Sequence, residues 1–85
     1  MKVAYTPQFV RMFRKLEQAL KEEAIEKIEL FTEDPAHSQL KAHKLKGKLK
    51  NRYSFSVNYQ IRIIYKPISK NEVAFLAIGD HEVNK

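Results

Sequence analysis

The residues that could do chemistry in this chain gather in one stretch, His43 to Tyr65, HKLKGKLKNRYSFSVNYQIRIIY, with one more near the end, His81. Lys44, Lys46, Lys48, Lys50 and Arg52 fall on every second residue, a comb of cations suited to gripping the phosphates of a polyanion. Arg62 is set inside an apolar run, Ile61, Ile63, Ile64 and Tyr65. Strand alternation puts Gln60, Arg62 and Ile64 on one face and Ile61, Ile63 and Tyr65 on the other. If helices cover the Ile61 face, Arg62 points away from them. There a guanidinium can clamp a phosphate with two donors and hold charge that develops in a transition state. The plainer alternative is an exposed strand arginine, paired with a glutamate or with water. His43 opens the comb, and His81 follows Gly79 after the last apolar run. An imidazole at either place can serve as general acid or base, or be a solvated histidine of a loop or tail. His37 has no such setting.

The charge distribution points the same way. The net charge is +6, yet all ten acids lie outside residues 35–71, and that segment holds nine Lys and Arg. The remainder carries seven basic and ten acidic residues, a balance of −3. Concentrated positive charge attracts phosphate backbones and speeds their encounter, with strong salt dependence. A solvated lysine-rich loop is the alternative. The chain has no Cys, which excludes a disulfide framework and a Cys-based zinc site. Three scattered histidines without ligand spacing point to no metal, and two glycines leave no Gly-rich phosphate loop. No cofactor is called for. No apolar run approaches the length of a membrane span, and the N-terminus lacks a signal-peptide pattern. The expectation is one cytoplasmic domain spanning residues 1–85.

The supporting elements follow in order. Lys2 to Tyr5 is β-prone. Thr6 offers an N-cap and Pro7 suits a first helical turn. Phe9, Val10, Phe13, Leu16 and Leu20 form a helical stripe, and Ala24, Ile25, Ile28 and Phe31 continue it. A break near residues 20–22 is expected, giving a helical hairpin that Asp34-Pro35 ends. Residues 36–51 read as a basic loop with an extended part. Arg52–Asn58 and Gln60–Ile68 read as a β-hairpin turning at Asn58-Tyr59. Val73–Ile78 is a continuous apolar run, hence a strand buried on both faces or in the sheet centre. The order β-α-α-β-β-β makes an α+β domain, a helical hairpin packed on a small, mainly antiparallel sheet. Tyr53 and Tyr59 could stack on bases, although Tyr53, Phe55 and Val57 also suit packing under the helices.

The phrases HKLKGKL, RYSFSVNYQIRIIY and AFLAIGDHEV, in that order, resemble the RelE/ParE superfamily of toxins from type II toxin–antitoxin modules. The resemblance covers nearly the whole chain and implies the RelE/ParE-like fold. For the RelE branch it implies an mRNA interferase, a metal-independent endoribonuclease that enters the ribosomal A site. For the ParE branch it implies a DNA gyrase poison. In both, a cognate antitoxin is the inhibiting partner. Carried over by position, Arg62 resembles the strand arginine that binds the scissile phosphate. His81 falls where YoeB- and YafQ-like toxins carry an Arg or His beside the scissile bond, and His43 resembles the loop histidine of YafQ-like toxins. Ser54 and Ser56 stand where RelE has catalytic lysines, and Asn84 where many members have an aromatic. The expected function is therefore ribosome-dependent mRNA cleavage through 2′-OH attack. Gyrase poisoning by binding, or RNA binding without catalysis, are the alternatives.

Overall fold

The computed structural model describes residues 1–47 and 51–80, together with Val83. Among these residues, five strands form one sheet in the order β1-β5-β4-β3-β2. β1 is Lys2–Tyr5, β2 His43–Lys44, β3 Tyr53–Ser56, β4 Arg62–Ser69 and β5 Glu72–Gly79. Two helices, α1 (Pro7–Arg14) and α2 (Gln18–Glu33), and a 3-10 turn at Ser38–Leu40 separate β1 from β2. β1 runs parallel to β5, and the other neighbouring pairs are antiparallel. The α+β architecture expected from the sequence is the one observed, with β2 added inside the basic segment. No helix among the described residues is long and apolar enough to cross a membrane.

Local chemistry sets the helix boundaries. The Thr6 hydroxyl accepts from the Phe9 N–H at 3.2 Å and donates to the Phe75 carbonyl at 2.8 Å. One side chain thus caps α1 and ties it to β5. At the far end, α2 stops at Glu33, before the Asp34-Pro35 pair. The break between the helices falls at residues 15–17, not at 20–22. A single helix over residues 7–33 would run about 40 Å at 1.5 Å per residue, beyond the longest extent of the chain, 31 Å. Glu17 adopts an extended conformation, φ −67° and ψ 159°. Its carbonyl accepts from the N–H groups of Leu20 and Lys21, both at 3.1 Å, and restarts the helix. Leu16 and Leu20, on either side of the break, can then both pack on the core.

The core lies between the helices and one face of the sheet. Ala24, Ile28 and Phe31 supply the buried stripe of α2. Ile25 does not join it: it is 47 % exposed and lines an apolar groove of about 470 Å³ with Tyr5, Phe9 and Phe13. One residue off an i, i+4, i+7 stripe is about 100° around the helix, enough to leave the sheet. Phe31 stacks on Phe55 with centroids 4.5 Å apart, and meets Tyr65 at 4.9 Å and Phe75 at 5.8 Å. The apolar run of β5 hides a register change. Ile64 pairs with Ala77 but Tyr65 pairs with Phe75, so Leu76 is an extra residue. Val73, Phe75 and Ile78 therefore enter the core, whereas Ala77 belongs to the opposite face.

The hairpin between β3 and β4 turns where expected. The Asn58 side-chain oxygen accepts from the N–H groups of Gln60 and Ile61, at 2.8 and 2.7 Å. Tyr59, at its tip, is almost fully exposed. Tyr53 packs on the helix side, stacked on Tyr65 with centroids 5.5 Å apart.

Burial, and secondarily the neighbouring Tyr53, push the Tyr65 phenol above the ordinary tyrosine value. A raised acid pKa in the folded state means that the neutral phenol is favoured by folding. Its contribution is complete below the unfolded tyrosine value and is lost as pH rises through the folded one. Urea denaturation across the alkaline range should show stability falling over that window. The fall should be smaller in Tyr65→Phe, which keeps the packing and removes the titration.

Candidate active site

Strand register decides which of the reactive residues share a face. His43 on β2 pairs with Ser54 on β3, Ser54 with Ile64 on β4, and Ile64 with Ala77 on β5. These four form one cross-strand row on the face turned away from the helices. The next row is Ser56, Arg62 and Gly79. His43 and Arg62 therefore lie on the same helix-free face, two strands apart and offset by two residues. Standard strand spacings put their Cα atoms about 12 Å apart. Both side chains rise from the same face and are long enough to converge on a group bound over β3.

Arg62 is half-buried and flanked across the strands by Ser56 and Gly79, side chains too small to cover it. Among the described residues, no hydrogen bond or ion pair holds its guanidinium. Arg52 precedes Ser54 by two residues and so takes the same face; its carbonyl accepts from the Leu45 N–H at 2.8 Å. It lines a cleft of about 430 Å³ with Ile64, Leu76, Ala77 and Val83, bounded at the start of α1 by Thr6, Pro7 and Gln8. Gln8 donates to the Leu76 carbonyl at 3.1 Å, which fixes that boundary to the bulge. Ser54, in the first row, is almost fully buried. The His43 ring is anchored through Nδ1, 2.9 Å from the Lys41 carbonyl oxygen.

The described members of the cationic comb do not share one face of the sheet. Lys44 pairs with Tyr53, whose ring packs on the helix side, so it takes the face opposite His43. Lys46 is exposed in the connection that follows. There Gly47, at φ 115°, and Asn51, at φ 58°, turn the chain between β2 and β3. A period of two holds only within one strand, and of the comb's described residues only Lys44 lies in a strand. Lys48, Lys50 and His81 lie outside the described residues. Gly79, two residues before His81, is the register partner of Arg62. Lys41 was missed by sequence reasoning. Its contribution is a backbone carbonyl presented from a left-handed conformation, and no residue type announces that for a lysine.

No family model and no curated protein matches the sequence. Solved structures do. YafQ from E. coli strain BL21(DE3) superposes with a TM-score of 0.78 at 19% identity, over 96% of this chain and 94% of that one. The chain has the fold of YafQ. The same YafQ-like fold extends to the YoeB/ParE toxin from Agrobacterium tumefaciens, with a TM-score of 0.76 at 18% identity, covering 95% of this chain and 99% of that one. It also extends to the heterotetrameric YoeB–YefM toxin–antitoxin complex from Staphylococcus aureus, with a TM-score of 0.73 at 19% identity, covering 95% and 97%. At these identities the likeness establishes the fold.

Proposed function

We propose that this chain is the toxin of a type II toxin–antitoxin system of the RelE/ParE superfamily, and that it cuts mRNA on the ribosome. The observation that carries the reading is the placement of His43, Arg52 and Arg62 together on the helix-free face of a YafQ-like sheet. The reaction needs three services. A base removes the proton of an RNA 2′-OH, whose oxygen then attacks the adjacent phosphorus. Cations hold the charge of the pentacoordinate phosphate. An acid protonates the departing 5′-oxygen as the P–O5′ bond breaks. The products are a 2′,3′-cyclic phosphate and a 5′-OH. His43 is the base, Arg62 the phosphate clamp, and Arg52 with Lys46, Lys48 and Lys50 the positive field. His81 is the acid by the resemblance stated above. Lys44 adds to the field from the other side of the sheet.

The cognate antitoxin is the proposed partner, supported by the likeness to a toxin–antitoxin complex. The groove of Tyr5, Phe9, Phe13 and Ile25 suits an amphipathic segment of that antitoxin. The ribosome and mRNA place the protein in the cytoplasm. Expression in cells, followed by mapping of mRNA 5′ ends and assay of gyrase–DNA adducts, tests the reading. New mRNA ends within translated frames are expected. Gyrase adducts without new mRNA ends would move the chain to the gyrase-poison class, and neither product would leave only an RNA-binding domain.

A further inference from the structure

The two described histidines are held in opposite tautomers. Nδ1 of His37 accepts from the Gln39 N–H at 3.1 Å, capping the 3-10 turn. That nitrogen must be bare, so the proton of a neutral His37 sits on Nε2. Nδ1 of His43 lies 2.9 Å from the Lys41 carbonyl oxygen. A carbonyl can only accept, so here the proton sits on Nδ1 and a neutral His43 has its lone pair on Nε2. Among the described residues no other hydrogen bond reaches the His43 ring, and the residue is exposed on the face that carries Arg62.

The acceptor is itself set by an unusual backbone. Lys41 has φ 50° and ψ 40°, the left-handed region, which L-residues enter at a cost. Its N–H bonds the Ser38 carbonyl at 3.3 Å, closing the 3-10 turn. The next two residues lead directly into β2.

We propose that the Lys41 carbonyl, fixed by this left-handed turn, locks His43 in the Nδ1–H tautomer and so makes its Nε2 the general base for RNA cleavage. The step balances simply. The Nε2 lone pair takes the 2′-OH proton, and the imidazolium that forms keeps its Nδ1–H bond to the carbonyl. Lys41 is thus a positioning residue acting through its backbone, and His37 has the wrong free nitrogen. The proposal rests on the functional reading above, but its structural half can be measured without activity.

The experiment is two-bond 1H–15N NMR on histidine-labelled protein, at a pH where the imidazoles are neutral, with single-turnover cleavage of ribosome-bound mRNA alongside. His43 should show a protonated Nδ1 and a bare Nε2, and His37 the reverse. Lys41→Gly and Lys41→Val both remove the ammonium, but only valine resists a positive φ. Lys41→Val should shift His43 toward the Nε2–H form and cleave about tenfold more slowly than Lys41→Gly. A protonated Nε2 on His43 in an active wild-type protein would overturn the proposal alone. Equal rates for the two variants would also overturn it, assigning any loss to the lysine charge. A wild-type protein that shows the expected tautomer and cuts no RNA would instead overturn the functional reading, and the base role with it.

Discussion

Arg62→Ala should slow RNA cleavage by about 10²–10³-fold, the usual loss when one preorganised donor to developing charge is removed, and should leave the fold standing. Arg62 opens β4 near the middle of the sheet, with Ser56 and Gly79 as its cross-strand partners. No described residue depends on its guanidinium for a hydrogen bond or ion pair, so truncation strands no buried partner. The loss should therefore appear in the rate and not in the urea midpoint. Arg62→Lys keeps the charge but not the two-donor fork, and should fall between wild type and alanine. Single-turnover cleavage paired with denaturation of each variant is the check. Full activity in Arg62→Ala would remove the strand arginine from the mechanism. A collapsed urea midpoint would mean that Arg62 supports the sheet instead.

Phe31→Ala should destabilise the domain by about 3–5 kcal/mol, the range for a large aromatic cut from a packed core. Phe31 is fully buried and its ring meets Phe55, Tyr65 and Phe75, from three neighbouring strands. Its removal leaves a cavity that three rigid rings cannot fill. For a domain of this size the melting temperature should fall by roughly 15–30 °C, and Phe31→Leu should lose less. The effect reaches the helix-free face, because Phe55 and Tyr65 belong to the strands that carry Ser54 and Arg62. Misplacement of a reacting group by about 1 Å can cost 10²-fold in rate, so cleavage should weaken even where the variant stays folded. A loss below about 1 kcal/mol would show that the aromatic cluster does not hold the layers together.

Much of the fold was legible because the strongest patterns come from burial on one side. The Phe9-to-Phe31 stripe and the alternation around Arg62 each mark a face against the core. The helix break was misplaced because no Gly or Pro marks it. It is set by the extent of the fold, too short for one continuous helix, and by the packing of both Leu16 and Leu20 on the core, neither of which is a local property. The run Val73–Ile78 hid the bulge at Leu76, since an all-apolar strand cannot show a change of phase. At the site, Arg62 could be assigned to its face from alternation alone. The face of Lys44 could not be read that way, because β2 and β3 run antiparallel and the alternation does not carry over from one to the other. The tautomer of His43 was invisible for a deeper reason: it depends on the direction of a backbone carbonyl, and a lysine side chain carries no sign of that.

Cleavage at the helix-free face requires a 2′-OH nucleophile on the RNA. The most direct measurement uses purified protein, ribosomes and two mRNAs that differ by one 2′-deoxynucleotide at the cleaved position. The all-ribose message should be cut to a 2′,3′-cyclic phosphate and a 5′-OH, and the deoxy message should remain whole at that position. Equal cleavage of both, or an intact all-ribose message with folded protein, would contradict the account.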